Sequence, residues 1–172
     1  MKRKTRRRIW LVSFVCLFSI AIIGYFYSTD QIKQRGFEFG VQLQSIQSEL
    51  KVNQLEFDSI FSQWEEGDPS TQEFIQYSET HLENLNVLLN EYGILMPPTT
   101  FQPAVALFEL STESQIQSDM ALVQWVKTGD KSYKIRSDDL FQEAFQYELS
   151  ALSLYNAAKS GVFGLTISDT AP

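Results

Sequence analysis

The sequence predicts an all-α protein: a single N-terminal transmembrane helix continuing into an antiparallel up-down four-helix bundle. Three observations predict it. Six basic residues (Lys2, Arg3, Lys4, Arg6, Arg7 and Arg8) precede nineteen uncharged, mostly apolar residues over positions 9–27. Beyond that run, large apolar side chains return every three to four residues for most of the chain, the period of a helix face and not of a strand. Proline and glycine are gathered at a few breakpoints, with no proline between the apolar run and Glu66.

The N-terminal element comes first. At 1.5 Å per residue, positions 9–27 cover about 28 Å as a helix, close to the hydrocarbon thickness of a bilayer. Trp10 stands at one end of the run and Tyr25 and Tyr27 at the other, where amphipathic rings favour the interfaces. The basic cluster stays on the cytoplasmic side, so the rest of the chain is expected outside. A cleaved signal peptide would need a shorter core and small residues at its exit, whereas the exit here reads Gly24-Tyr25-Phe26-Tyr27-Ser28. Thr5-Arg6-Arg7 hints at twin-arginine export, but the same exit lacks a cleavage site. Phe14 and Val15 ahead of Cys16 disfavour lipid attachment there. The expected organisation is a cytoplasmic basic segment (1–8), a transmembrane helix (9–27), an extracytoplasmic bundle (28–161) and a C-terminal tail (162–172), in the cell membrane.

Helix 1 of the bundle is expected to follow a heptad through Ile32, Gly36, Phe39, Leu43, Ile46, Leu50, Asn53, Phe57, Ile60 and Trp64, stopping at Gly67. Asn53 either sits in that seam and fixes register, or gives way to Leu55 and faces water. Asp68-Pro69-Ser70 restarts the chain, with Asp68 as cap or, as the variant, a Ser70…Glu73 capping box. Helix 2 is expected from about Pro69 to Tyr92 with Ile75, Leu82, Leu85, Leu89 and Tyr92 inward, and Gly93 supplying a left-handed end. Pro97-Pro98 forces an extended connection. Helix 3 begins near Thr100 with Pro103 in its first turn, and its stripe is Val105, Phe108, Thr112, Ile116, Met120, Val123 and Val126. Thr128-Gly129-Asp130 stops and restarts the chain. Helix 4 is expected to about Lys159, with Phe141, Ala144, Phe145, Leu152, Tyr155 and Ala158 inward and Gly161 ending it.

Short connections make sequential helices antiparallel, which brings the start of helix 1 beside the end of helix 4. Gly36 and Gly40 share a face of one, while Ala151, Ala157, Ala158 and Gly161 thin the other, a pattern suited to close backbone approach. A flexible stalk and a homodimer contact through the same Gly36/Gly40 face are the alternatives.

Charge narrows the partners. Beyond Ser28 there are 8 basic residues against all 21 acidic ones, a net of about −13. That sign repels nucleic acid, and it suits a solvated domain or attraction to cations or to a basic partner. The single cysteine excludes an intrachain disulfide, and no Asn-x-Ser/Thr sequon occurs.

Chemistry-bearing patterns are sparse. His81 is the only histidine, in Glu-Thr-His-Leu-Glu; Ser78 stands where a di-iron bundle needs Glu three residues earlier. No Cys/His set, phosphate loop, haem motif or hydrolytic triad can be assembled, so no catalytic, metal or cofactor residue is expected. Asp138, Asp139, Glu143 and Glu148 read as a solvated face. Trp125 and Phe101 are the candidates to line an interhelical cavity. In outline, an anchored four-helix ectodomain resembles the sensory domain of bacterial chemoreceptors and sensor kinases. It departs from them at residues 162–172, too short to return through a membrane and carrying Asp169. The expected function is therefore that of a non-enzymatic accessory, adaptor or structural protein with a protein partner or a second copy of itself. The alternative is a small-molecule or ion-binding module reporting to a separate membrane partner.

Overall fold

The computed structural model describes residues 36–168, with side chains to residue 161. The expected basic segment and transmembrane helix lie outside the described residues; among the described ones, no helix is long and apolar enough to cross a membrane. The chain divides into two compact units, Met1–Glu38 and Phe39–Pro172, and the second holds the bundle.

Four helices and no strand are present among the described residues. Helix α1 is described over residues 36–66, and α2 (Thr71–Tyr92), α3 (Gln102–Thr128) and α4 (Lys131–Ser168) follow. Gly67 ends α1 with φ 101°, a conformation that glycine adopts without steric cost. The capping-box variant starts α2: the Glu73 N–H donates to Ser70 Oγ, and Glu73 Oε2 accepts from the Ser70 N–H at 3.0 Å. The hydroxyl bond from Ser70, with the backbone bond second, holds the Glu73 carboxyl below its ordinary value.

Gly93 differs from expectation. Its φ is −66°, and α2 closes through three short-range bonds from the N–H groups of Gly93, Ile94 and Leu95 to the carbonyls of Asn90, Glu91 and Tyr92. Tightening the last turn in this 3₁₀ manner occupies the terminal carbonyls without a left-handed residue. Gly129 is the left-handed cap instead, at φ 73°, its N–H bonded to the Trp125 carbonyl at 2.7 Å. Asp130 Oδ1 then accepts from the Ser132 N–H at 2.9 Å, a bond that lowers the Asp130 pKa.

Two apolar clusters hold the second unit. One joins Phe39, Leu43 and Ile46 of α1 with Tyr92, Val105, Phe108 and Ala151. The start of α1 therefore shares a cluster with the end of α2, the start of α3 and the late part of α4, as an up-down bundle requires. The other joins Phe57, Phe74, Leu122 and Val123, with Phe61, Trp64 and Trp125 packed against it. Trp64 and Trp125 meet edge to face at 5.8 Å and 84°.

The α3–α4 pair is stitched by small residues. Ser118 Oγ donates to the Ser137 carbonyl at 2.9 Å, and Ser111 Oγ to the Ala144 carbonyl at 2.8 Å. The same antiparallel register sets Ala104 opposite Ala151, both without exposure. Repeating small side chains every two turns lets the two backbones approach closely.

Several expected core positions are corrected by this seam. Phe141, Phe145 and Leu152 face outward, as does Met120. The buried side of α4 is the narrow line Ser137, Ala144 and Ala151, which turns the phenylalanines about a quarter of the way round toward solvent. Nor does α4 stop at Lys159; it passes through Gly161 to Ser168. A right-handed glycine weakens a helix by about 1 kcal/mol without ending it.

Candidate functional site

Between the two clusters the interior is polar. Its first part joins α1, α2 and α3: Gln47 Nε2 donates to Tyr92 Oη, which lies 3.4 Å from Thr112 Oγ1. Burial pushes the Tyr92 phenol up to about 12, partly countered by the Thr112 bond. The second part is a hydrogen-bonded pair deep in the core, where His81 Nε2 and Asp119 Oδ2 stand 3.0 Å apart with side chains 1% and 3% exposed. Gln115 Nε2 donates to the other carboxylate oxygen at 2.9 Å. The Phe57 ring of α1 lies flat on the imidazole, 4.2 Å between centroids and 9° between planes. Desolvation raises the Asp119 pKa, and the His81 bond opposes that rise.

Sequence reasoning missed this pair because it set the α2 seam one residue off at Ile75, Leu82 and Leu89, although Leu85 and Tyr92 are buried as expected. The buried line is Phe74, Ser78, His81, Leu85, Leu88 and Tyr92. The signal was present: these positions alternate steps of four and three without a break, and Phe74 and Tyr92 anchor both ends. Polar letters at two of the six positions concealed it.

The predicted packing residues are placed as follows. A Cβ built on Gly40 would stand 4.0 Å from Tyr155 Oη, whereas one on Gly36 or Gly161 meets nothing within 4 Å. Ala157 is exposed and Ala158 half-buried. Ala151 packs into the cluster of Phe39 and Val105. Asn53 is half-buried and donates to the Glu49 carbonyl of its own helix at 3.1 Å, while Leu55 is exposed. Phe101 and Trp125 are packed among rings: Phe101 between Phe39 and Tyr155, and Trp125 against Phe61 and Trp64.

Two surfaces remain open. A groove of about 410 Å³ runs beside Val52, Leu55, Ile60 and Tyr77, with Glu56 and Ser59 on its margin. On α4, Phe141, Phe145, Leu149 and Leu152 form one stripe, each between 41% and 53% exposed. Among the described residues, no group of three or more His, Cys, Asp or Glu side chains gathers as a metal-ligand set. Compared with known proteins, the chain matches no family model, no curated protein and no solved structure.

Proposed function

We propose that this chain is a single-pass membrane-anchored accessory protein whose helical bundle stands outside the cell membrane and docks a protein partner through α4. The α4 stripe carries the reading. Phe141, Phe145, Leu149 and Leu152 recur at steps of four and three residues and leave roughly half of each side chain in water. Such a stripe on an exposed helix face is a signature of helix-against-helix recognition. The core does not need these side chains, because Ser137, Ala144 and Ala151 already fill the α4 contact with α3.

The interior favours a partner over a small ligand. Its polar groups bond mainly to one another; among the described residues only Gln54 Oε1 and His81 Nδ1 are buried without a hydrogen-bond partner. The anchoring half of the proposal rests on the six basic residues and the apolar run behind them.

A photo-reactive residue in place of Phe145, in the full chain in native membranes, tests the proposal. A discrete cross-linked species with another membrane protein is expected, and it should vanish when the probe is moved to exposed Ser132. Recovery of the uncross-linked monomer alone, or release of the chain by carbonate, overturns it.

A further inference from the structure

We propose that the outward face of α1 is the seam of a parallel homodimer, in which two copies of this chain pack α1 against α1 over residues 45–62. The face repeats as a heptad on the side of α1 opposite its core line. Ser45, Val52 and Ser59 stand at the first position (a) and Ser48, Leu55 and Ser62 at the fourth (d), all of them exposed. Val52 is 55% and Leu55 59% exposed. No member of the seam is charged, although the chain beyond Ser28 carries a net of about −13. Two copies with that excess repel one another, so they approach where charge is missing. A β-branched residue at a followed by leucine at d favours two parallel strands.

The groove beside α1 supplies the socket. Its α1 wall is Val52, Leu55, Glu56 and Ser59, and Ile60 with Tyr77 of α2 closes one side. Residues at i, i+3, i+4 and i+7 are the four that form the hole for a d-position side chain of a parallel partner. With a volume of about 410 Å³, the groove admits a leucine side chain. Leu55 of each copy therefore enters the groove of the other. Serines elsewhere in the seam let the two helices come close. Ser45 donates to Glu49 Oε1 and Ser62 to the Asp58 carbonyl within α1, so covering them leaves neither hydroxyl hydrogen unpaired.

Charge sets the direction and register. Lys51 is the only lysine or arginine over residues 36–92. It occupies position g, and Glu56, five residues on, occupies e. In a parallel pair those two positions of opposite copies meet, so Lys51 of each copy faces Glu56 of the other. Among the described residues neither takes part in an ion pair within the chain. The flanking pairs, Gln44 with Glu49 and Asp58 with Gln63, bring no like charges together. Anchoring as proposed above would add to this by confining two copies side by side in one membrane, which raises their effective concentration.

Disulfide trapping in the full chain, in native membranes and in detergent micelles, tests the proposal. Cys16→Ser removes the native thiol, and Ser48→Cys, Leu55→Cys and Ser62→Cys are added singly, with Ser132→Cys on α4 as control. A disulfide-linked dimer is expected at each of the three seam positions and not at the control. Adding Lys51→Glu to the Leu55→Cys chain should lower the bridged fraction by about threefold, and adding Glu56→Lys as well should restore it. Bridging no greater than in the control overturns the proposal. So does bridging at 55 alone, the mark of an antiparallel pair, or a bridged fraction indifferent to both charge changes. If carbonate releases the chain but all three bridges form, the anchoring reading fails and the seam stands.

Discussion

The Ser118 hydroxyl bonds the Ser137 carbonyl at 2.9 Å across the α3–α4 interface, and the Ser111 hydroxyl repeats the arrangement on Ala144 two turns away. A seam of this kind has no room for branched side chains. Ala144→Leu or Ala151→Leu is expected to destabilise the bundle by about 1–3 kcal/mol through overpacking. Ser118→Ala, which removes one bond and leaves a buried carbonyl, should cost about 1 kcal/mol. Denaturant unfolding of each variant checks both values, and the leucine variants should be the weaker.

Phe57 has no exposure and touches Phe74 and His81 from α1. Phe57→Ala should cost about 3–5 kcal/mol, since both a ring-sized cavity and the imidazole stack are involved. Trp64 and Trp125 sit in the same cluster, so a red-shifted tryptophan emission should accompany the loss before global unfolding.

Tyr92 sets the alkaline limit. Its phenol is held at about 12 against an ordinary 10, chiefly by burial. A raised folded value means that ionisation is resisted in the fold, so stability is intact below 10 and falls as pH climbs toward 12, by about 2–3 kcal/mol. Tyr92→Phe should flatten that decline while losing the Gln47 bond. Ultraviolet phenolate absorbance alongside circular dichroism follows the two events together.

At the α1–α2 junction, Ser70→Ala removes the hydroxyl half of the capping box, the acceptor of the Glu73 N–H, and keeps the backbone half, the bond from the residue 70 N–H to Glu73 Oε2. A loss of about 1 kcal/mol is expected. Ser70→Asp should recover most of it, and thermal melts of the three proteins give the ranking.

The α4 stripe should separate stability from recognition. Phe145→Ser exchanges a half-exposed ring for a polar group, so its unfolding midpoint should stay within about 0.5 kcal/mol of the parent. The cross-link to the partner should nonetheless be lost. A large drop in stability would instead assign Phe145 to the core.

How much of this was legible in the letters differs from helix to helix. In α1 the expected seam and the buried one coincide at Phe39, Leu43, Ile46 and Phe57, because the apolar letters and the heptad agree there. The stops at Gly67 and Gly129 were readable because glycine suits their positive φ, whereas the start of α2 was legible only as a choice between Asp68 and the Ser70…Glu73 box, of which the second forms. Reading failed where a buried side is not the most apolar one. On α4 the small residues face α3, and the large apolar ones outside the seam turn to water, so hydrophobicity pointed the wrong way. On α2, Ser78 and His81 replace apolar letters in the seam, and a polar partner on another helix, Asp119, explains His81. Pairings between distant positions leave no periodic trace in a single helix.

In the link between the hairpins, residues 94–100, Leu95 packs against the Phe39 cluster while its neighbours stand in water, Ile94 77% exposed and Met96 87%. Neither the seam of α3 and α4 nor the ring stack at the far end runs through it. A protease nick there should yield two fragments that copurify, and a fluorescent tag or a short peptide grafted between Met96 and Pro97 should leave the assembly intact. The exposed Met96 end of this segment is the natural place to label, split or lengthen the protein while leaving the packed Leu95 and the α4 face in place.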